Sequence, residues 1–462
     1  MSLRHPRKSI FWGAYPALGM LEQNWWYTSL LNVRDPLQPP LRGDHEADVV
    51  IIGAGAAGLA AALRCTERGK HVILIDRNIC GGSSTGKSAG FLTPDSELEL
   101  SQIERRFGLQ GARDLWDAPV RGIQRMLELV GRHHFPCDLV KEDSLFLGVG
   151  SGGSREVREE SEARKRLGFP YQSYDAGTLR SILGSSAYSC GVRYPDCYGI
   201  DALLYSQGVK RALLDGGAAI HESTSVRSIE GHTVRTHMGS VTAKEIIFCA
   251  DKLRPSLSKY STNVYHAQTF LSISEPLSDR EYRTLFPDEP LQCWDSRLIY
   301  TYFRPTGDHR LLVGGGTLWS TYAANDTTGP AIIEQVIRKL KRALPCLDGV
   351  RFIEYWPGRI DMTRDLLPTV FRDPEAPWVH YVLGCVGLPW ATFCGDLVAR
   401  MVLGDAQPEE QKYYRYFSND RGFLVPIWLE RIMGKKLVFT LNNWWAKYHQ
   451  VTRPAQGSRA SS

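Results

Sequence analysis

The sequence predicts an α/β fold built around a parallel sheet, accompanied by a second, antiparallel sheet. Two stretches carry this prediction. Residues 47–76 run from a short β-branched segment through a glycine turn and a helical segment to a second apolar run. Residues 265–318 contain short strand-like segments separated by turn residues, which is typical of antiparallel strands. An α+β domain is therefore expected beside the parallel-sheet domain.

The glycine turn gives the first domain a specific interpretation. Val49–Ile52 is too short for a helix and is followed at once by the sequence GAGAAG. Gly53 permits a tight turn, Gly55 permits close approach to a pyrophosphate, and Gly58 permits close packing of helix and strand. Asp76, at the end of the second strand, is placed to accept hydrogen bonds from a ribose. The complete unit predicts a Rossmann-type dinucleotide site; a glycine turn with only a packing role is the alternative.

The composition bounds the class of protein. At 462 residues the chain is too long for one compact core, so two or three domains are expected. A hydrophobic content of 43% and a charged content of 23% are ordinary for a globular protein in water. The net charge of +5 is small for this length and argues against a nucleic-acid partner.

Cysteine usage and the N-terminus indicate a location. The ten cysteines are scattered without a CxxC pair or zinc spacing, which suits a reduced compartment and predicts no metal site. Residues 1–20 are basic but lack an uninterrupted apolar core, so no signal peptide is expected. No run of eighteen apolar residues predicts a membrane span. The expectation is a cytoplasmic protein.

A second nucleotide-binding pattern follows the first unit. Gly81–Ser88 reads GGSSTGKS and formally matches the phosphate-loop pattern GxxxxGK[ST]. A true phosphate loop leaves a strand directly and begins a long helix, whereas Pro94 interrupts any helix here. We interpret this stretch as a loop of small residues folded over the first cofactor.

A further glycine run, Gly148–Gly153, also matches GxGxxG. The helical segment after it, residues 155–168, is charged nearly all round, so tight packing on a parallel sheet is not expected. We interpret the run as a surface turn; a second dinucleotide site is the alternative.

The two ends of the chain have distinct compositions. In the N-terminal arm, Asn24–Tyr27 is the only strongly apolar cluster, and its tryptophans are expected to pack on the body rather than bind a ligand. Residues 411–451 are basic and aromatic, a composition that also suits an anionic membrane surface. Docking of this segment on the body, with Trp428, Trp444 and Trp445 buried, is the favoured interpretation.

The predicted organisation alternates between the two domains. The expected segments are an N-terminal arm (1–45), cofactor-domain segments (46–135, 199–255 and 350–410), substrate-domain segments (136–198 and 256–349), a C-terminal helical extension (411–451) and a disordered tail (452–462).

With these motifs in view, the chain resembles the FAD-dependent D-amino-acid-oxidase-like family, which includes glycine, sarcosine and γ-glutamylputrescine oxidases. The loop at 84–90, STGKSAG, looks like the family's ASGRNGG. Residues 356–368 look like its W-x-G…T-x-D-x-x-P, and residues 384–389 stand where it has G-[FY]-S-G-H-G. Leu388 and Pro389 depart from the usual His and Gly, and Lys87 replaces a common Arg. The match does not assign a cysteine or histidine that would bind the flavin covalently; Cys385 is the residue to check for such a bond.

The resemblance implies FAD as the cofactor. Glycines and Asp76 of the first unit would hold its adenosine diphosphate half, the loop would border the isoalloxazine ring, and Val226 would meet the adenine. The residues expected to bind FAD are Gly53, Gly55, Ala56, Ala57, Gly58, Asp76, Arg77, Ser84, Thr85, Gly86, Lys87, Ser88, Ala89, Gly90, Val226, Ala250, Gly358, Gly387, Leu388, Pro389 and Trp390.

The resemblance also implies an activity: oxidation of the C–N bond of a primary or secondary amine or amino acid, by hydride transfer to flavin N5, with reoxidation by O2. Two alternatives stay open. One is an amine dehydrogenase that passes electrons to a quinone or protein acceptor, with the C-terminal extension contacting a membrane. The other is a non-catalytic flavin-binding protein.

Candidate substrate-binding residues follow from strand periodicity and from the motifs. Tyr300, Tyr302 and Arg304 alternate, so on one strand they share a face. For the two tyrosines a role in the core is the alternative. Arg304 is a candidate for binding a carboxylate, with a surface ion pair as the alternative. Asp361 and Arg359 are candidates for binding a charged substrate end, and Trp390 is expected to narrow or reshape the pocket beside the flavin.

Overall fold

The computed structural model of the chain describes residues 19–421 except 34–35, 96, 252 and 318–327, together with residues 433, 437, 438 and 441. The helices are α1 (Trp25–Ser29), α2 (Ala56–Glu67), α3 (Leu100–His133), α4 (Gly150–Leu167), α5 (Ala176–Leu183), α6 (Ala202–Asp215), α7 (Asp279–Leu285), α8 (Ala331–Ala343), α9 (Leu388–Leu403) and α10 (Gln411–Tyr416). The strands are β1 (Leu21–Glu22), β2 (Gly43–Ile52), β3 (Val72–Ile75), β4 (Phe91–Leu92), β5 (Val140–Lys141), β6 (Asp143–Gly148), β7 (Gln172–Asp175), β8 (Cys190–Tyr194), β9 (Tyr198–Gly199), β10 (Ala219–His221), β11 (Ser228–Glu230), β12 (Thr233–Arg235), β13 (Gly239–Phe248), β14 (Tyr265–Ser274), β15 (Leu291–Asp295), β16 (Tyr302–Pro305), β17 (Leu311–Gly315), β18 (Phe352–Met362), β19 (Thr369–Arg372) and β20 (Val379–Leu383).

The first sheet is the predicted parallel one. Strands β10, β3, β2, β13 and β20 lie side by side and parallel, with β12 and β11 continuing one end of β13 and β19 flanking β20. Alternation along β2 places Val49 and Ile51 in the core beneath α2 and α9, and Val50 and Ile52 in the core of the opposite face. Burial on both faces explains the nearly uninterrupted β-branched run.

Helices α2 and α9 pack so closely that their backbones are almost in contact. A methyl group added at Gly395 of α9 would lie 2.0 Å from the carbonyl oxygen of Ala57 in α2. A methyl group at Gly122 of α3 would lie 2.0 Å from the carbonyl oxygen of Pro389. Helix α9 therefore makes close backbone contacts at its first turn, with α3, and near its middle, with α2.

The second sheet has nine strands in the order β1-β18-β14-β17-β16-β15-β6-β8-β7. Its pairs are antiparallel except β1 with β18 and β6 with β15, so it is a mixed sheet rather than the purely antiparallel one expected. Strand β18 belongs to this sheet, whereas the sequence placed residues from 350 onwards in the cofactor domain. The remaining domain boundaries stay a prediction.

One local expectation is wrong. The glycine run Gly148–Gly153 is not a surface turn, because α4 begins at Gly150 and Gly153 packs against the backbone of Gly148. Helix α4 lies beside β6 and β8 of the second sheet, away from the parallel one, where it buries Val157 and Leu167 and pairs Glu160 with Arg164.

The start of the C-terminal extension packs on the body. Helix α10 buries Tyr413, and Phe417 follows it into the same core. Arg421 donates two hydrogen bonds to the Asp365 carboxylate, from Nε at 2.9 Å and from Nη2 at 3.0 Å. Trp428, Trp444 and Trp445, and the tail from 452, lie outside the described residues. Across the part of the chain that the structure describes, none of the helices combines the length and the apolar character needed to cross a membrane.

Candidate active site

An elongated cavity lies at the carboxyl ends of β2, β3 and β13, where a doubly wound sheet binds its ligands. It runs from the glycine turn and Asp76 at one end to the segment after β20 at the other. Its lining includes Gly53, Gly55, Ala56, Ala57, Asp76, Arg77, Ser83, Ser84, Thr85, Thr224, Ser225, Val226, Ala250, Asp251, Ile360, Asp361, Gly384 and Cys385. We call this the first cavity.

The glycine turn fits a bound pyrophosphate. Gly53 has a φ of 103°, and a methyl group there would lie 2.9 Å from the backbone of Ala250. A methyl group at Gly58 would lie 1.8 Å from the carbonyl oxygen of Gly53. Gly55 faces the cavity, and a methyl group added there would have the Thr85 hydroxyl, at 3.1 Å, as its one contact within 4 Å. The free N–H groups and the positive end of α2 therefore face space that a pyrophosphate would fill.

Asp76 is fixed by the backbone around it. The Ala54 N–H donates to its Oδ2 at 2.6 Å, and the Asn78 N–H donates to its Oδ1 at 2.7 Å. Burial raises the pKa of Asp76, while these two hydrogen bonds act in the opposite direction. The carboxylate oxygens keep further lone pairs, as a ribose contact requires.

The loop at 81–90 separates the first cavity from a second one. A 3₁₀ turn, Thr85–Lys87, follows four small residues and leads to β4, without the long helix of a phosphate loop. The Ala56 N–H donates to Thr85 Oγ1 at 3.0 Å, which ties the loop to the start of α2. Ser84 donates to the carbonyl oxygen of Arg359 at 2.5 Å and also bonds Asp251. Ser84 and Ile360 line both cavities, so the two spaces adjoin.

The second cavity lies between this loop, α3, the first turn of α9 and the second sheet. Its lining includes Ser84, Lys87, Ser88, Ala89, Gly90, Phe91, Asp95, Glu97, Glu99, Gln102, Arg106, Phe146, Trp294, Arg297, Leu298, Tyr300, Tyr302, Gly358, Arg359, Ile360, Gly387, Leu388 and Pro389. Aromatic and aliphatic side chains surround a few polar groups, as in most small-molecule sites.

Three acidic side chains at alternate positions line one end of this cavity. Tyr300 Oη donates to Glu97 Oε1 at 3.1 Å, and Trp294 Nε1 donates to Glu99 Oε1 at 2.9 Å. Asp95 accepts from Tyr194 and from Thr93 Oγ1. Burial raises the pKa of Glu97 and of Glu99, and raises that of Asp95 to about 6.

Most residues expected to bind the cofactor line these cavities. Arg77, Val226 and Ala250 line the first cavity, and Gly358 and Gly387 line the second. Gly58 and Gly86 line neither, because their close contacts are inside the fold, with Gly53 and with Gly81 and Leu203.

Arg304 does not reach the second cavity. Its side chain is 1% exposed and donates to the carbonyl oxygens of Ala89 and Ile200 and to Glu142 Oε1 at 3.0 Å. Arg304 is a buried ion-pair partner of Glu142, so it does not bind a substrate carboxylate and does not lie at the surface. Tyr300 precedes β16 instead of lying on it, but Tyr300 and Tyr302 both line the cavity, with ring centroids 5.7 Å apart.

Two other candidates also lie elsewhere than expected. Trp390 is 2% exposed, donates to the carbonyl oxygen of Pro94 at 3.0 Å, and packs on Phe417, so it does not narrow the second cavity. Asp361 lines the first cavity and not the second, so it does not face the space beside Tyr300. Its Oδ1 lies 2.6 Å from His266 Nδ1.

The sequence interpretation missed the acids of the second cavity. Helix α3 begins at Leu100, and residues 93–95 and 97–99 before it belong to no helix or strand. The available signal was the alternation of Asp95, Glu97 and Glu99 directly after the loop, a spacing that places side chains on one side of an extended chain.

Comparison with known proteins points to one family. The model of the family described as FAD-dependent oxidoreductase matches residues 48–401. The chain is 28% identical over 373 residues to the γ-glutamylputrescine oxidoreductase of Escherichia coli, covering 78% of this chain and 84% of that protein. It is 23% identical over 401 residues to the glycine oxidase of Bacillus subtilis, covering 82% and 99%. The crystal structure of glycine oxidase from Geobacillus kaustophilus has the same fold, with a TM-score of 0.70, 18% identity and coverage of 80% and 98%.

Proposed function

The chain belongs to the family of FAD-dependent oxidoreductases, and from that premise we propose that it oxidises the C–N bond of a primary or secondary amine or amino acid. The observation that carries the proposal is the second cavity, which adjoins the cofactor cavity along Ser84 and Ile360 and has carboxylates at one end. Relatives that act on a glycine or a γ-glutamylputrescine substrate, by their names, support the same class.

The bound FAD supplies the hydride acceptor; the protein supplies binding and orientation. The start of α2 and Asp76 would hold the pyrophosphate and ribose, and Val226 would lie against the adenine. Gly387 precedes the first turn of α9, so the positive end of that helix faces the second cavity and favours negative charge there. These contacts would hold the cofactor in the first cavity, with its flavin end directed towards the second cavity.

Glu97 is proposed to receive the substrate's amino group. Its hydrogen-bond partner is the neutral Tyr300, and it faces the cavity, so an ammonium ion would find there a carboxylate that has no cationic partner among the described residues. An amine must lose its proton before its α-carbon can release hydride, because the nitrogen lone pair stabilises the developing iminium. A carboxylate with a raised pKa is suited to accept that proton.

The aromatic side chains would keep water from the reacting carbon. Tyr302 packs edge-on against Phe91, with ring centroids 5.9 Å apart, and both line the second cavity beside Tyr300. Such a wall also positions the substrate, which is the main contribution expected from a protein in a hydride transfer.

The proposal is tested by anaerobic mixing of the purified protein with a panel of primary amines, secondary amines and amino acids. At least one compound is expected to bleach the flavin absorbance, and admission of air is expected to restore it. Restoration only by an artificial acceptor would indicate a dehydrogenase instead of an oxidase. Absence of bleaching by the whole panel would contradict amine oxidation and favour a non-catalytic flavoprotein.

Glu97→Gln is expected to lower kcat/KM at pH 7 by about a hundredfold, the usual size of a lost proton acceptor. Wild-type kcat/KM should rise with pH through the raised pKa of Glu97, because only the carboxylate accepts the proton. The variant should lose this dependence. Glu128→Gln, at an exposed ion pair on α3, is the control and should retain the wild-type profile. A wild-type pH profile in the Glu97 variant would exclude this role.

We also propose a cytoplasmic location, which the ten free cysteines support because reduced thiols persist there.

A further inference from the structure

The N-terminal arm contacts the cofactor loop directly. Strand β1 pairs with β18, and helix α1 then lies across the outer side of the loop at 82–88. Both elements precede residue 48, where the match to the family begins. The arm is therefore an addition to the matched region, and it is placed against the wall between the two cavities.

Three contacts between the arm and the loop have the same form: a side chain of the arm donates a hydrogen bond to a backbone carbonyl oxygen of the loop. Asn24 Nδ2 donates to the Gly86 oxygen at 2.7 Å, and Trp26 Nε1 donates to the Ser88 oxygen at 2.8 Å. Tyr27 Oη donates to the Gly82 oxygen at 3.0 Å.

The body adds a fourth contact of the same kind. Trp356 Nε1 donates to the carbonyl oxygen of Lys87 at 3.1 Å, and its ring packs edge-on against Trp26 with centroids 6.5 Å apart. Trp26 and Trp356 are both 2% exposed, and the carbonyl groups that they bond belong to half-buried residues. Four carbonyl groups of a seven-residue loop thus point at donors on the side away from the cavities.

We propose that Asn24, Trp26 and Tyr27 form a clasp that holds the loop in the conformation that binds FAD, so that a segment before the matched residues 48–401 sets how tightly the flavin is retained. The inner side of the same loop bonds Ala56 at the start of α2 through Thr85 and lines the second cavity through Ser88. Hydrogen bonds to the carbonyl oxygens of Gly82, Gly86 and Ser88 exclude conformations that a loop of small residues would otherwise sample. Because the loop is already ordered, it loses less conformational entropy when the cofactor binds.

The clasp makes a reciprocal prediction. If docking of the arm tightens FAD binding, then FAD must tighten docking of the arm by the same factor. Amide hydrogens in α1 are accordingly expected to exchange more slowly in the holoprotein than in the apoprotein.

The test compares two tryptophans on one helix. Trp26→Phe keeps an aromatic ring but replaces the indole by phenyl and removes the N–H that bonds Ser88. Trp25→Phe makes the same replacement and is the control, because Trp25 packs against the Arg310 guanidinium, 4.2 Å from its ring centroid. Each apoprotein is titrated with FAD. Trp26→Phe is expected to raise the Kd for FAD about tenfold through the lost hydrogen bond, and Trp25→Phe to leave it unchanged.

Tyr27→Phe provides a second variant in case Trp26→Phe does not fold, since it removes one oxygen from a half-exposed side chain. It should also raise the Kd for FAD and change the visible absorbance of the bound flavin. A Kd and a flavin spectrum equal to the wild type in both variants, an equal loss in Trp25→Phe, or α1 exchange that FAD does not slow would each overturn the proposal. These readouts need no substrate, so they are independent of amine oxidation.

Discussion

Replacing Gly55 with leucine is expected to yield a folded protein without flavin. Gly55 faces the first cavity at the start of α2, and the Thr85 hydroxyl is the one heavy atom within 4 Å of an added methyl group. A leucine side chain there would occupy the space in front of the helix N–H groups, where a pyrophosphate would be bound. The backbone of Gly55 has a negative φ of −79°, so the substitution introduces no left-handed strain.

The measurement is the ratio of flavin absorbance to protein absorbance after purification, with circular dichroism to confirm folding. Gly131→Leu is the control, because Gly131 lies on an exposed face of α3 with no atom within 4 Å of an added methyl group. Wild-type flavin content is expected for the control. Stoichiometric FAD in Gly55→Leu would show that the cofactor does not lie against this turn.

Arg304→Met is expected to destabilise the protein by about 3–5 kcal/mol, as the loss of one partner of a buried ion pair does. Arg304 is 1% exposed, and its guanidinium bonds Glu142 as well as the carbonyl oxygens of Ala89, Ile200 and Pro305. Burial raises the pKa of Glu142 to about 7 even beside this cation. Without the guanidinium, Glu142 and three buried carbonyl groups lose their charged donor together.

The free energy of unfolding in urea is the measurement. Arg351→Met serves as the control, because Arg351 pairs with Glu275 at the surface, where its side chain is 78% exposed, and no measurable change is expected there. A loss under about 1 kcal/mol in Arg304→Met would contradict the buried-pair explanation. The variant should also retain FAD less well, since Arg304 Nε donates to Ala89 in the cofactor loop.

The parts of the site that were predictable from sequence are those whose geometry is local. The turn from β2 to α2 uses Gly53, Gly55 and Gly58 within six residues; the backbone requires glycine at Gly53 and Gly58, and Gly55 leaves open the space where a pyrophosphate would bind. The position of Asp76 could be predicted because a single helix, α2, separates the glycine turn from β3, and Asp76 directly follows that strand. Membership of the family could likewise be inferred from short motifs and is confirmed by the match over residues 48–401.

The parts that were not predictable depend on residues far apart in the chain. Period-two alternation placed Tyr302 and Arg304 on one face, which is consistent with β16, but it did not indicate which segment covers each side chain. Tyr302 meets the second cavity, whereas Arg304 lies under Ala89 and beside Glu142, more than 160 positions earlier. The contacts of the arm with the loop are separated by 55–62 positions and have no local signature.

The close approach of α9 to its neighbours has a consequence for how the site accommodates different substrates. Because Gly395 lies on the Ala57 backbone and Gly122 on the Pro389 backbone, no side chain separates these helices, and no rotamer change can alter their spacing. A larger residue at Gly395 or Gly122 would therefore push α9 away from its neighbours and change the length of cofactor that fits between the N-termini of α2 and α9. Side chains that are free to adjust to substrate size lie elsewhere around the second cavity, where Leu298 is 56% exposed.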